Sequence, residues 1–207
     1  MKVIEKDILP FQENDYFSPL RDKTDYAKLL VISARNLLLD YDAGGMPITC
    51  RMKLIIDKMN RLFFHKENKY FSVSFPFSTL LDEDNRVIEI NSYSGKKVDF
   101  QSISGVISVL ENEQFKLNPS PIDYYMNSNG VDSIGLELLE EIFRFEPSYI
   151  RYDYDPTNEN GKLHPLYHVD INYSTYGTFK FGLNNEINLA YLENLLNTNT
   201  DCAYIID

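Results

Sequence analysis

The side chains best suited to chemistry gather between Tyr149 and Ser174, in the run YIRYDYDPTNENGKLHPLYHVDINYS. Arg151, Asp153, His164, His168 and Asp170 fall within it, with Asp155 and Asn172, and two of the chain's three histidines are here. These residue types suit phosphodiester cleavage, which needs a group to activate the nucleophile, one to protonate the leaving oxygen, and positive charge on the phosphate. His164 and His168 offer the proton transfers, because an imidazole can both accept and donate a proton, while Arg151, with Lys180 further on, offers the charge. Asp153, His168 and Asp170 also form a candidate ligand set for a divalent metal ion, because carboxylate and imidazole donors suit such ions. His164 and His168 have the spacing of a zinc-binding helix, but Pro165 and the β-forming residues after it point to a turn and a strand. No Gly-x-Ser-x-Gly elbow or glycine-rich oxyanion loop supports serine chemistry.

The elements that must position these groups are strands. Tyr149–Tyr154 alternates and is rich in β-formers, which puts Tyr149, Arg151 and Asp153 on one face and Ile150, Tyr152 and Tyr154 on the other. Asp155-Pro156 ends the strand, since proline cannot donate to a ladder, and Asn158, Asn160 and Gly161 supply turn chemistry. Leu166–Tyr173 alternates again, with His168, Asp170 and Asn172 facing one way, and Thr178–Leu183 repeats the pattern with Lys180. Paired as a three-stranded meander, these runs gather Arg151, Asp153, His168, Asp170, Asn172 and Lys180 on an open face. The opposite face, with Ile150, Tyr152, Val169, Ile171 and Phe179, should be covered by helices 133–145 and 185–197. The polar face has a plainer reading too, as opposite charges paired across strands for under about 1 kcal/mol each.

The hexapeptide Arg151-Tyr152-Asp153-Tyr154-Asp155-Pro156, followed by His164-Pro165-Leu166-Tyr167-His168, resembles the C-terminal signature of a bacterial family, domain of unknown function 2290. That family carries no established activity. The resemblance implies a fold, and a setting in a bacterial toxin–antitoxin or phage-defence module.

The remaining chain supports an α+β fold, an antiparallel sheet packed by amphipathic helices. Hydrophobic content of 43% and aromatic content of 14% supply a core. One domain over residues 1–207 is expected, with a lobe boundary near 118–130, a loop containing Pro119 and Pro121. Lys2–Ile8 reads as a strand and Asp25 to about Tyr41 as a buried helix capped by Thr24. A second helix is expected from Cys50 to Phe64, with Met52, Ile55, Ile56, Met59, Leu62 and Phe63 in one arc. Arg51, Lys53, Lys58 and Arg61 lie outside that arc, as a basic surface for a nucleic-acid backbone or an acidic partner, or as a merely solvated face. Tyr70–Phe75 and Arg86–Asn91 read as antiparallel strands about the acidic turn Asp82–Asn85. Phe100–Leu110 and 133–145 read as helices, a last helix starts near Asn185, and Ala203–Ile206 reads as a closing strand.

The net charge of −11 is unevenly placed: residues 76–207 carry 21 acidic and 8 basic residues, whereas residues 1–75 are slightly basic. An acidic body disfavours nonspecific nucleic-acid binding and suits a basic protein partner, one encoded by a neighbouring gene. The local basic surface keeps RNA or a nucleotide in view. No run is apolar enough to cross a bilayer, and MKVIEKDILPF has charges where a signal peptide needs an apolar core, so a cytoplasmic protein without a membrane partner is expected. Cys50 and Cys202 lack the spacing of a zinc knuckle. Two functions follow. The first is an acidic partner-binding subunit of such a module, its polar cluster structural. The alternative is a small hydrolase, a nuclease or nucleotide phosphodiesterase, that uses the cluster.

Overall fold

The computed structural model describes residues 1–41, 44–58, 60–67, 69–127, 133–174 and 176–204. In chain order the elements are β1 (Lys2–Ile8), α1 (Glu13–Phe17), α2 (Lys23–Leu38), β2 (Cys50–Ile56), β3 (Arg61–Lys66), β4 (Lys69–Ser74), β5 (Ser78–Leu81) and β6 (Val87–Asn91). They continue as α3 (Phe100–Glu111), α4 (Glu113–Leu117), α5 (Pro121–Asn127), α6 (Ser133–Phe143), β7 (Ile150–Tyr154), β8 (Tyr167–Ile171), β9 (Phe179–Leu183) and α7 (Leu189–Leu195). The fold is α+β, and the expected C-terminal meander is present as β7, β8 and β9. Among the described residues no helix is long and apolar enough to cross a membrane. Both cysteines are free thiols, Cys50 buried and Cys202 exposed. The chain divides into two compact units, one formed by Met1–Glu13, Gly45–Ser74 and Ser148–Asp207, the other by Asn14–Gly44 and Phe75–Pro147.

In the first unit, a sheet runs in the order β1-β2-β3-β4-β7-β8-β9, every neighbouring pair antiparallel. The register places Ile4, Ile8, Met52, Leu54, Leu62, Phe64, Phe71 and Val73 on one face, all buried. Phe64 and Phe71 stack there with ring centroids 4.6 Å apart. The expected helix over 50–64 is instead the β2–β3 hairpin. Met52 and Leu54 alternate with Arg51 and Lys53, which is strand period two, and the sequence spacing of Met52, Ile55, Leu62 and Phe63 fits a helix only if the intervening turn is ignored. Pairing with β1 on one side and β4 on the other decides for the strand, because each neighbour satisfies backbone groups that a lone helix would satisfy itself. On the opposite face α7, capped by Asn188, lies over β2 and β3: Lys53 Nζ donates to Glu193 Oε1 at 2.6 Å, and Leu192 is buried. This helix starts four residues later than the sequence suggests. Ala203 and Tyr204 are not in a strand, and the remainder of the expected closing strand lies outside the described residues.

The second unit is mainly helical. Asp22, not Thr24, caps α2, its carboxylate accepting from the backbone N–H of Thr24 and Asp25. Tyr16 donates its hydroxyl to the Ile32 carbonyl at 3.1 Å. Helix α3 begins in a capping box of Asp99 and Ser102, which are reciprocal acceptors for orphan N–H groups. It packs on α6 at a glycine–glycine crossing, where a Cβ added to Gly135 would stand 2.3 Å from the Gly105 carbonyl carbon. β6 pairs with β5 rather than with the 70–75 strand. Asp82 closes this hairpin by accepting from the N–H of Asp84 and Arg86, at 3.0 and 2.7 Å. Within 118–130, residues 121–127 form α5; residues 128–130, like the Asp132 cap expected for α6, lie outside the described residues.

Candidate functional site

The meander's register sets the site. Arg151 of β7 stands opposite Asp170 of β8, which stands opposite Lys180 of β9; in the next row Asp153 faces His168, which faces Gly182. Because strand side chains alternate, these residues share one face, and Lys69 and Phe71 of β4 join it opposite Asp153 and Arg151. The hairpins are local in sequence, so period two alone was enough to bring Arg151, Asp153, His168 and Asp170 together.

Their contacts form one network. Arg151 donates through Nε to Asp153 Oδ2 and through Nη2 to Asp170 Oδ2, both at 2.6 Å, and through Nη1 to the Tyr149 hydroxyl at 3.3 Å. Lys180 Nζ donates to Asp170 Oδ1 at 2.8 Å and to His168 Nε2 at 3.2 Å. His168 Nδ1 lies 2.8 Å from the Pro165 carbonyl. A carbonyl only accepts, so Nδ1 carries the hydrogen and Nε2 presents its lone pair to the cluster. Nε2 stands 3.8 Å from Asp153 and 3.9 Å from Asp170, and the donor atoms of Asp153, His168 and Asp170 all lie within 4.8 Å of one another.

The face is not open, as its alternation suggested. His168 and Asp170 are each 1% exposed, a buried floor beneath the partly exposed Arg151, Asp153 and Lys180. Buried charges are tolerated only when paired and hydrogen-bonded, and here two carboxylates meet a guanidinium and an ammonium. Burial, and then the nearby Arg151 charge, push the Lys69 ammonium below its usual range. Burial likewise pushes the Tyr149 phenol up to about 12.

His164 sits at the rim rather than on the floor. Its Nε2 lies 3.1 Å from Asp155 Oδ2, and its ring meets that of His168 edge to face at 4.8 Å. Asp155 is fixed in turn by Asn158, whose side-chain and backbone N–H groups hold its carboxyl below the ordinary range. Asp155 stands in the chemistry-bearing stretch, but the sequence assigns it no role beyond ending a strand; its place in the R-Y-D-Y-D-P … H-P-x-x-H pattern with His164 is the signal for one. Gly182 matters through what it lacks: a Cβ there would come 2.8 Å from Pro165 Cγ, displacing the residue whose carbonyl orients His168. Lys69 had no local signal, because its register with Asp153 joins distant parts of the chain.

The other expectations fare unevenly. On the far face of the meander Tyr152 and Val169 are buried and Ile150 is half-buried, but Ile171 is 36% and Phe179 76% exposed. Of the helices expected over them, α6 belongs to the second unit, and α7 covers β2 and β3. The basic set is not a free surface. Arg51 pairs with Asp7 at 3.0 Å, and Lys53 with Glu5 and Glu193 at 3.3 and 2.6 Å. Arg61 is buried, donating to Ser72 Oγ and to the hydroxyl and carbonyl of Ser148. Lys58 is exposed in the bend after β2. No family model, curated protein or solved structure matches the chain.

Proposed function

We propose that the charged end of the sheet is a hydrolytic site for phosphate diesters of nucleotide size. One observation carries this reading: a sheet face with a mainly apolar interior over β1 to β4 changes, at β7 to β9, to an ionic cluster in which buried His168 and Asp170 lie beneath Arg151, Asp153 and Lys180, with a His164–Asp155 pair at its rim. Hydrophobic residues would close that face at lower cost than ions, and clustered titratable groups mark sites of chemistry. His164, oriented by Asp155, takes a proton from the attacking water. Arg151 and Lys180 bind the non-bridging phosphate oxygens, and the Lys180 ammonium donates the proton that the leaving oxygen needs when the phosphorus–oxygen bond breaks. Three of the four cations that would track a long polynucleotide, Arg51, Lys53 and Arg61, are engaged with Asp7, Glu5, Glu193, Ser72 and Ser148, which supports a nucleotide over a nucleic-acid strand. Turnover of a chromogenic phosphate diester, cyclic nucleotides and short RNA should be measured alongside thermal melting. The wild type should cleave the small substrates, and His164→Ala should lose the activity with its melting temperature unchanged. A wild type inert on every substrate, or a His164→Ala variant of undiminished rate, refutes this reading.

A second reading, an acidic subunit that binds a protein partner in a toxin–antitoxin or phage-defence module, is favoured by β9. This is the last strand of the sheet, and Phe179, Lys180, Phe181 and Gly182 are all exposed on it. Exposed apolar edge strands recruit a strand from another chain. Co-expression with the product of the neighbouring gene should yield a complex that Phe179→Lys/Phe181→Lys abolishes without changing the circular dichroism spectrum. A complex that survives both charges, or none with the wild type, excludes β9 as the docking edge.

A further inference from the structure

We infer that Asp153, His168 and Asp170 form a divalent-cation site, and that the ammonium of Lys180 is a tethered cation competing for it. The site is the one used in the hydrolase reading, but the inference concerns binding and stands or falls separately.

The donor geometry comes first. Two donors on one ion at about 2.1 Å stand about 3 to 4.2 Å apart in octahedral coordination. His168 Nε2 already lies 3.8 and 3.9 Å from its two carboxylate neighbours, within that range, and the whole donor set falls within 4.8 Å, so an entering ion has to draw the two carboxylates towards each other. The imidazole is in the tautomer that a metal ligand needs. Its Nδ1–H is spent on the Pro165 carbonyl, the outer-shell arrangement that fixes ring orientation and raises the basicity of the other nitrogen. That nitrogen belongs to a side chain only 1% exposed and aims between two carboxylates.

A cation already rests there. Lys180 Nζ is within hydrogen-bond distance of both Asp170 Oδ1 and His168 Nε2, the two atoms that an entering ion would take. Arg151 leaves those two atoms alone: it holds the other Asp170 oxygen, Oδ2, and, through Nε, Asp153 Oδ2, an oxygen that keeps a further lone pair for an ion. At Asp170 Oδ1 and His168 Nε2 the contest is therefore between a divalent ion and one flexible ammonium. Lys180 stands on an exposed edge strand with its side chain partly in solvent, and its four-carbon stem can swing the head group away. Once displaced, it is free to reach a phosphate beside the ion. Two carboxylates and one imidazole make a mixed oxygen and nitrogen set, which suits Mn²⁺ or Zn²⁺ better than the all-oxygen preference of Ca²⁺.

Titration calorimetry with Mn²⁺ and Zn²⁺, and the Mn²⁺ electron paramagnetic resonance signal, test this on the full chain. Lys180→Met should bind at least tenfold more tightly than the wild type, with one ion per chain. Asp153→Asn in the Lys180→Met background should lose that gain. Lys96→Met, which removes an exposed lysine from Glu137 and Glu141 in the second unit, should leave the affinity unchanged. Because Lys180 lies on the edge, Lys180→Met is expected to fold, which its melting curve verifies. Equal affinities in wild type and Lys180→Met, no binding by either at millimolar ion, or an equal gain in Lys96→Met would each overturn the inference. Ion binding without turnover would leave it standing and sink the hydrolase reading; turnover without ion binding would do the reverse.

Discussion

Arg151 spans two carboxylates with one guanidinium, and the difference in their surroundings sets what it contributes. Asp170 is buried, so its charge depends on Arg151 and Lys180 for compensation. An exposed pair such as Arg51–Asp7 has water as an alternative partner and contributes about 0–1 kcal/mol. Removing one partner of a buried pair leaves the other charged and dry, at about 3–5 kcal/mol. Arg151→Met should therefore lower the stability measured by urea unfolding by about that much, against less than about 1 kcal/mol for Arg51→Met. Equal small losses for the two would mean that solvent reaches Asp170 and that the cluster is looser than its hydrogen bonds imply. At this scale the sequence was informative about company and silent about depth. Strand alternation places Arg151, Asp153, His168 and Asp170 on one face once the consecutive strands β7 and β8 pair. It does not say that the face is buried, because burial is decided by what the rest of the chain lays over it.

The elements show where local pattern competes with tertiary pairing. Runs with one unambiguous local pattern are legible: β1, α2, α3, and the three strands of the meander. The 50–64 stretch is not, because Met52, Ile55, Ile56, Leu62 and Phe63 satisfy a helical arc as well as two strands joined by a turn. The discriminating feature is the Phe63–Phe64 pair, buried at both positions. Adjacent residues on a strand point to opposite faces, so two consecutive dry phenylalanines describe a strand covered on both sides. The difference between helix and hairpin has a functional consequence. A helix would have displayed Arg51, Lys53, Lys58 and Arg61 as one basic stripe, whereas the hairpin sends Arg61 into the interior and gives Arg51 and Lys53 acidic neighbours on β1 and α7. The Gly105–Gly135 crossing was equally hidden, since two glycines thirty positions apart become a contact only when α3 and α6 are known to meet.

Across the whole molecule, aromatic residues set the alkaline limit of stability. Tyr149 and Tyr152 are on opposite faces of the sheet and both are buried, which pushes each phenol up to about 12. Burial raises Tyr16 in the helical unit in the same direction. An unfolded tyrosine ionises near about 10. Below that pH both states keep the proton, and the contribution to stability is complete. Between about 10 and about 12 the unfolded chain releases protons that the folded chain still holds, so stability falls as pH rises and is lost through the folded-state value. Each tenfold difference in proton affinity is worth about 1.4 kcal/mol, which is substantial against a total of about 5–15 kcal/mol. Urea unfolding followed from about pH 9 upward should therefore show a midpoint that declines steeply above about 10. Tyrosinate absorbance should show a late phase that appears together with the loss of ellipticity, and Tyr149→Phe should shift the decline to higher pH by removing one of the titrating groups. Tyrosine ionisation that runs to completion while the ellipticity is intact would show that these phenols reach solvent in the folded chain, and the burial assigned to the strand carrying Arg151 and Asp153 would then be wrong.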